Sequence, residues 1–220
     1  MRAVLFDMDG VLVDSEDYWV TLEREELLPQ VVPDQDVAVA EITGMNYREI
    51  YDYLDAEYET AVSREEFLDL FETAAETLYR DRVALLEGTH DLLDELEERD
   101  VPRAIVSSSP HDWIDIVLER FDLADRFDAV VSAEEIDGPG KPEPDVFEYA
   151  AAELGIEPEE CVVLEDSEHG IRAAARAGTT CIAYEIEAHD DVDYSPADAV
   201  VDSPLELRDA VLERVQGAPR

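Results

Sequence analysis

Apolar positions along the chain follow two patterns. Short unbroken runs occur at Ala3-Val4-Leu5-Phe6, Ala104-Ile105-Val106, Ala129-Val130-Val131, Cys161-Val162-Val163-Leu164, Cys181-Ile182-Ala183 and Ala199-Val200-Val201. Each is too short for an independent helix, and continuous rather than alternating hydrophobicity predicts strands of a parallel sheet covered on both faces. Between the runs, apolar residues recur at helical spacing: Leu92, Leu93 and Leu96 within 89–99, then Ile114, Val117 and Leu118 within 112–120. Further helices are expected over 145–154, 170–177 and 205–215, with Gly217-Ala218-Pro219 as a fraying tail. Strands alternating with helices predict an α/β fold, a doubly wound, Rossmann-like parallel sheet.

The stretch after the first strand breaks this rhythm. Segments 15–28, 47–58 and 63–78 read as helices with no strand between them, and Pro29, Pro33, Gly44 and Val62-Ser63 mark their ends. Ser63-Arg64-Glu65-Glu66 has the spacing of a capping box. Residues 15–83 are therefore expected to form a helical cap domain inserted after the first strand, with 1–14 and 84–220 making a discontinuous α/β core. The insertion is rich in aromatics (Tyr18, Trp19, Tyr47, Tyr51, Tyr53, Tyr58, Phe67, Phe71, Tyr79), read as packing residues with one or two facing a ligand.

Charge narrows the range of partners. The 220 residues carry 58 Asp and Glu against 16 Lys and Arg, a net charge of -42, which excludes most roles in binding nucleic acid or an anionic membrane. Of the basic residues only Lys141 is a lysine. A surface that discards lysine while gathering carboxylates reads as adaptation to multimolar salt, where the screening length falls to about 3 Å. Cys161 and Cys181 lie in apolar segments without metal-ligand neighbours, so neither zinc nor a disulfide is expected. Early acidic residues argue against a signal peptide, and nowhere do 18 apolar residues run together. The expectation is a soluble, cytoplasmic monomer.

Strand ends carry the candidate chemistry. The first strand runs into Asp7-Met8-Asp9-Gly10, where two carboxylates at alternate positions and a backbone carbonyl suit a hard, oxygen-seeking cation, with magnesium expected. Other strands end at Ser107 and at Glu165-Asp166-Ser167, and Lys141 sits in the loop Gly140-Lys141-Pro142. In a parallel sheet these points converge on one crevice. Carboxylates, a hydroxyl and an ammonium make an inventory for phosphoryl transfer, because a phosphate dianion approaches such carboxylates only with metal and lysine to compensate. That task accounts for the retained lysine.

These motifs, in this order, resemble those of the haloacid dehalogenase-like hydrolase superfamily, in the branch with a helical cap after the first strand. That branch includes phosphoglycolate phosphatases, sugar-phosphate phosphatases and beta-phosphoglucomutase. The first motif matches Asp7 through Ser15, the second the strand ending in Ser107, the third Lys141-Pro142, and the fourth Glu165-Asp166-Ser167 with Gly170 following. The resemblance implies that Asp7 is the nucleophile that becomes an aspartyl-phosphate. It implies that Asp9 protonates the leaving oxygen, later activates water, and offers its carbonyl to magnesium. Asp166 and Glu165 would complete the metal site, Ser107 would bind the phosphoryl group, and Lys141 would neutralise charge. By their place in the same loop, Ser108 and Ser109 are candidates either to add phosphate donors or to cap the helix that follows. Asp9 separates this chain from the dehalogenase branch, which lacks an acid two residues beyond its nucleophile.

Two departures bear on substrate. Where the phosphomutase branch has a histidine soon after the first motif, this chain has Glu16-Asp17-Tyr18-Trp19, which favours hydrolysis over mutase action. Gly44-Met45-Asn46-Tyr47-Arg48 resembles the cap's substrate loop. Arg48 is thus a candidate for a substrate carboxylate or second phosphate, and Trp19 and Tyr47 for its carbon skeleton. The expected activity is magnesium-dependent hydrolysis of a small phosphomonoester. The alternatives are a phosphohexomutase and a non-catalytic phosphometabolite-binding protein. Asp14 is assigned to the turn into the cap, and His169 to a peripheral place.

Overall fold

The computed structural model describes residues 2–43, 45–187 and 192–216, so Gly44 and the Gly217-Ala218-Pro219 tail lie outside the described residues. The chain runs β1 (Ala3–Phe6), α1 (Glu16–Leu22), α2 (Leu28–Val31), α3 (Tyr47–Glu57), α4 (Arg64–Thr77), α5 (Thr89–Glu98), β2 (Arg103–Ser107), α6 (His111–Arg120) and β3 (Ala129–Ser132). It continues through α7 (Asp145–Glu153), β4 (Cys161–Glu165), α8 (Glu168–Ala177), β5 (Thr180–Tyr184), β6 (Ala199–Val201) and α9 (Pro204–Gln216). The six strands form one sheet in the order β3-β2-β1-β4-β5-β6, every pair parallel.

The unbroken apolar runs divide residue by residue between the two faces, as the strand period of two requires. Val4, Phe6, Ile105, Val162, Leu164 and Ile182 pack with α5, α6 and α9 on one side. Ala3, Leu5, Ala104, Val106, Cys161, Val163, Cys181 and Ala183 pack with α7 and α8 on the other. That second face is built from small residues, and the alanines of α8 meet it closely. Both cysteines are buried free thiols there.

Between β1 and α5 every described regular segment is helical. The first cap helix does not stop at Pro29. A π-helical turn, Glu23–Leu27, joins α1 to α2, and the helix continues to Val31. Pro29 then sits at the start of a fresh α segment, where its missing N–H leaves no bond unmade. A second π turn, Leu78–Arg82, ends α4. The capping box at Ser63 forms, with the hydroxyl accepting from the Glu66 N–H and the Glu66 carboxylate accepting from the Ser63 N–H at 2.9 Å.

Asp14 ties together the two chain segments that join the insertion to the core. Its N–H donates to the Ala84 carbonyl at 3.0 Å, and its carboxylate accepts from the Ala84 N–H. The cap is seated on the core through a seam: Asn46 Nδ2 donates to the Ser108 carbonyl at 2.7 Å, Glu49 accepts from the Gly140 N–H at 2.9 Å, and His169 Nδ1 meets the Thr43 carbonyl at 2.9 Å. No helix among the described residues is long and apolar enough to cross a membrane.

Candidate active site

The strand order places β1 between β2 and β4, where successive crossovers depart in opposite directions, and a crevice opens there at the carboxyl ends. Asp7 follows β1 and its N–H donates to the Leu164 carbonyl at 3.0 Å, so the sheet itself aims the side chain. Lys141 Nζ donates to Asp7 Oδ1 at 2.7 Å, to Glu165 Oε1 at 2.6 Å and to the Val106 carbonyl at 3.3 Å. Glu165 Oε2 accepts from the Ser167 hydroxyl at 3.1 Å and the Asp166 N–H at 3.2 Å, which fixes the carboxylate that fixes the lysine. Burial opposes charge on Lys141, but Asp7 and Glu165 outweigh it and raise its pKa, keeping it an ammonium.

Asp7, Glu165 and Asp166 each bring a carboxylate oxygen within 4.8 Å of the others, all three residues buried. One ammonium among three carboxylates leaves an excess of negative charge. Burial is the first cause that lifts the carboxyls of Asp7 and Asp166 well above the usual range, and neighbouring carboxylates add to it. A divalent cation held by hard oxygen ligands is the group that such a set fits. When bound, it would neutralise charge on the phosphoryl oxygens.

Asp9 faces the other way. Its Oδ1 accepts from the hydroxyls of Ser15 at 2.5 Å and Tyr79 at 2.7 Å, and its Oδ2 accepts from the Ser109 hydroxyl at 3.0 Å. The side chain thus stands apart from the metal-type triad, on the cap side of the crevice, leaving only its carbonyl for the ligand role the motif implied. Burial and then the charge of Glu16 raise its carboxyl to about 6, against the pull of the three hydroxyls. Such a carboxyl is suited both to give and to take a proton. Ser109 is thus a holder of Asp9, and the N-cap of α6 is the next residue, Pro110.

Ser107 ends β2 and accepts from the Ser109 N–H at 3.0 Å, leaving its own proton to donate. Ser107 and Ser108 both line the cleft with Asp7, Asp9, Lys141 and Asp166, a space of about 660 Å³ including its mouth. Trp19 and Tyr47 line it from the cap. So do Phe71 and Tyr79, so that four cap aromatics face the cleft rather than one or two. They do double duty: Trp113 of the core stacks on Trp19 at 5.9 Å and lies 4.8 Å from Tyr47, sealing cap to core.

Arg48 is not brought to this cleft. Its guanidinium pairs with Glu134 and lies 5.1 Å over the Tyr47 ring, on the outer flank. The sequence motifs do not point to Tyr79 or Glu23, although the first holds Asp9 and the second lines the cleft. Glu16, Trp19 and Glu23 at spacings of three and four form one helical stripe, the signal that would have found Glu23.

Two glycines make room for the carboxylates. Gly10 adopts φ +70°, and a Cβ there would meet the Asp166 carboxylate. A Cβ on Gly170 would occupy the place of the Glu165 carboxylate. Gly170→Ala is therefore expected to push Glu165 off Lys141, lowering stability by about 1–3 kcal/mol and kcat by about 100-fold. Thermal unfolding and steady-state phosphate release check this, and wild-type values for both would show that the close approach is unimportant.

The comparisons agree with this geometry. A family model described as haloacid dehalogenase-like hydrolase matches residues 4–184. Hexitol phosphatase B of Escherichia coli (strain K12) is 33% identical over 211 residues, 93% of each chain. Validoxylamine A 7'-phosphate phosphatase of Streptomyces hygroscopicus subsp. limoneus is 29% identical over 94% of this chain and 96% of its own. Among solved structures, a HAD family hydrolase from Deinococcus radiodurans R1 with bound phosphate and sodium superimposes with a TM-score of 0.70 at 31% identity, covering 100% of this chain and 99% of that one. A match across most of the chain, with the acidic triad and its lysine assembled at the switch point, makes this protein a member of the haloacid dehalogenase-like hydrolases.

Proposed function

We propose that the protein is a magnesium-dependent phosphatase that hydrolyses a small phosphomonoester through an aspartyl-phosphate on Asp7. The observation that carries this reading is the division of labour between two carboxylates two residues apart. Asp7 sits against the Lys141 ammonium and the acidic triad, whereas Asp9 is turned to the cap by three hydroxyls.

An Asp7 oxygen attacks phosphorus as Asp9 gives its proton to the leaving oxygen and the ester P–O bond breaks. Water then attacks phosphorus, Asp9 takes back a proton, and the bond to Asp7 breaks to release inorganic phosphate. Lys141 neutralises charge on Asp7 and the transferred group, and Ser107, assisted by Ser108, holds phosphoryl oxygens. Asp7, Asp166, Glu165 and the Asp9 carbonyl would hold magnesium, with Glu165 also anchoring the lysine. Residues 15–83 act as the lid that excludes water while the phospho-enzyme forms.

The two relatives named above, a hexitol phosphatase and a validoxylamine A 7'-phosphate phosphatase, support a carbohydrate-like ester as substrate. The net charge of -42 with a single lysine supports a salt-adapted protein that works as a monomer. Free phosphate release from a panel of small phosphomonoesters tests the reading, run with magnesium, with chelator, and in dilute and molar potassium chloride. Selective, magnesium-dependent release is expected, with chelation taking turnover to background and molar salt raising it. Full turnover without divalent metal would overturn the magnesium requirement. Isomerised ester in place of phosphate would mean a mutase, and equal activity and stability at low salt would remove the salt adaptation.

A further inference from the structure

We infer that Glu23, on the cap wall of the cleft, is the specificity-determining residue that binds hydroxyl groups of a polyol or sugar leaving group, and that this wall disfavours leaving groups bearing a second anionic charge. The inference deepens the phosphatase reading and rests on it.

Glu23 is 7% exposed and lines the same cleft as Asp7 and Asp9. Its carboxyl receives no hydrogen bond from any described residue. With no donor from its own chain and its oxygens open on the cleft, the carboxyl is free to take a ligand hydroxyl as its partner. Glu23 also opens the π-helical turn Glu23–Leu27, a local widening that re-aims side chains and recurs at functional sites. Glu16 and Trp19 lie on the same stripe, so an indole stands between two carboxylates on the cleft wall. Rings take the C–H faces of a carbon skeleton while carboxylates take its hydroxyls.

The distribution of charge disfavours small leaving groups that carry an anionic group of their own. Among the described residues, five carboxyl residues line the cleft (Asp7, Asp9, Glu16, Glu23, Asp166), and its one cationic residue is Lys141, already bound by Asp7 and Glu165. Arg48, the cation expected to receive a substrate carboxylate or second phosphate, is held by Glu134 outside the cleft. Burial, and then Glu16, lift the Glu23 carboxyl well above its usual range, so this wall already resists one negative charge. A leaving group with its own carboxylate or phosphate would add another without a counter-ion.

The test compares glucitol 6-phosphate, p-nitrophenyl phosphate and phosphoglycolate as substrates of the wild type, Glu23→Leu and Glu23→Gln. The wild type should prefer glucitol 6-phosphate to phosphoglycolate by about 100-fold or more in kcat/KM. Glu23→Leu should lose about 10- to 100-fold on glucitol 6-phosphate while staying within about threefold on p-nitrophenyl phosphate, which has no hydroxyls to lose. Glu23→Gln, which keeps hydrogen-bonding atoms, should recover most of the glucitol 6-phosphate rate. Equal losses on both esters, or a wild type that prefers phosphoglycolate, would overturn the inference while leaving the phosphatase reading intact. Should no ester be turned over, the phosphatase reading falls by itself. Calorimetric binding of glucitol 6-phosphate, weakened or not by Glu23→Leu, then decides the role of Glu23.

Discussion

Asp7→Asn should abolish phosphate release, lowering kcat by about 10⁴-fold or more, in a chain that remains folded. Asparagine has nearly the same shape, and its amide oxygen still accepts from Lys141 where Asp7 Oδ1 does now at 2.7 Å. What it lacks is a nucleophilic carboxylate. Lys141 keeps its charged partner Glu165 at 2.6 Å, so the ammonium is not stranded. Burial, and next to it the charges of Glu165 and Asp9, already oppose ionisation of Asp7, so removing this charge also relieves repulsion. Stability should change by no more than about 1 kcal/mol. Phosphate release together with thermal unfolding checks both halves. Undiminished turnover in the variant would reject Asp7 as the nucleophile, whatever the family resemblance implies.

The parts of this site that the sequence discloses are those fixed by backbone direction. Asp7, Ser107 and Glu165 end or follow unbroken apolar runs, and a parallel sheet brings such ends together without reference to side-chain packing. Gly10 and Gly170 likewise follow from the chain, since each leaves space for a carboxylate that the motif already names. The cage around Asp9 is different in kind. Tyr79 and Ser109 reach it from 70 and 100 residues away, and only the docking of cap on core makes them neighbours.

Arg48 shows the opposite limit. Its position after the substrate loop resembles that of a ligand-binding residue, yet it pairs with Glu134 of the core. With 58 acidic side chains and 16 basic ones, an arginine in this chain meets a carboxylate of its own protein on almost any course. Spacing cannot tell which one. Pro29 is misleading for a related reason: proline ends a helix only if the N–H it lacks was needed, and the preceding π turn removes that need.

Lys141→Met should lower kcat by about 10³-fold or more and, separately, destabilise the fold by about 3–5 kcal/mol. The catalytic loss follows because, among the described residues, the cleft has no second cationic residue beside Asp7. The stability loss has another origin. Asp7 and Glu165 are buried around the ammonium, at 2.7 and 2.6 Å, and methionine fills the volume while leaving both carboxylates without their counter-charge. The two effects are separable by restoring neutrality. Glu165→Gln introduced with Lys141→Met removes one stranded charge and should return much of the lost stability, while activity stays at or below the level of the single variant, since Glu165 is also a metal-site carboxylate. Thermal unfolding of the four proteins in this cycle measures the coupling between the two positions, expected at about 1–3 kcal/mol. Additive stabilities would mean that Glu165 does not hold the lysine. Recovery of activity in the double variant would mean that the ammonium serves only to neutralise Glu165, and that phosphoryl transfer at Asp7 proceeds without it.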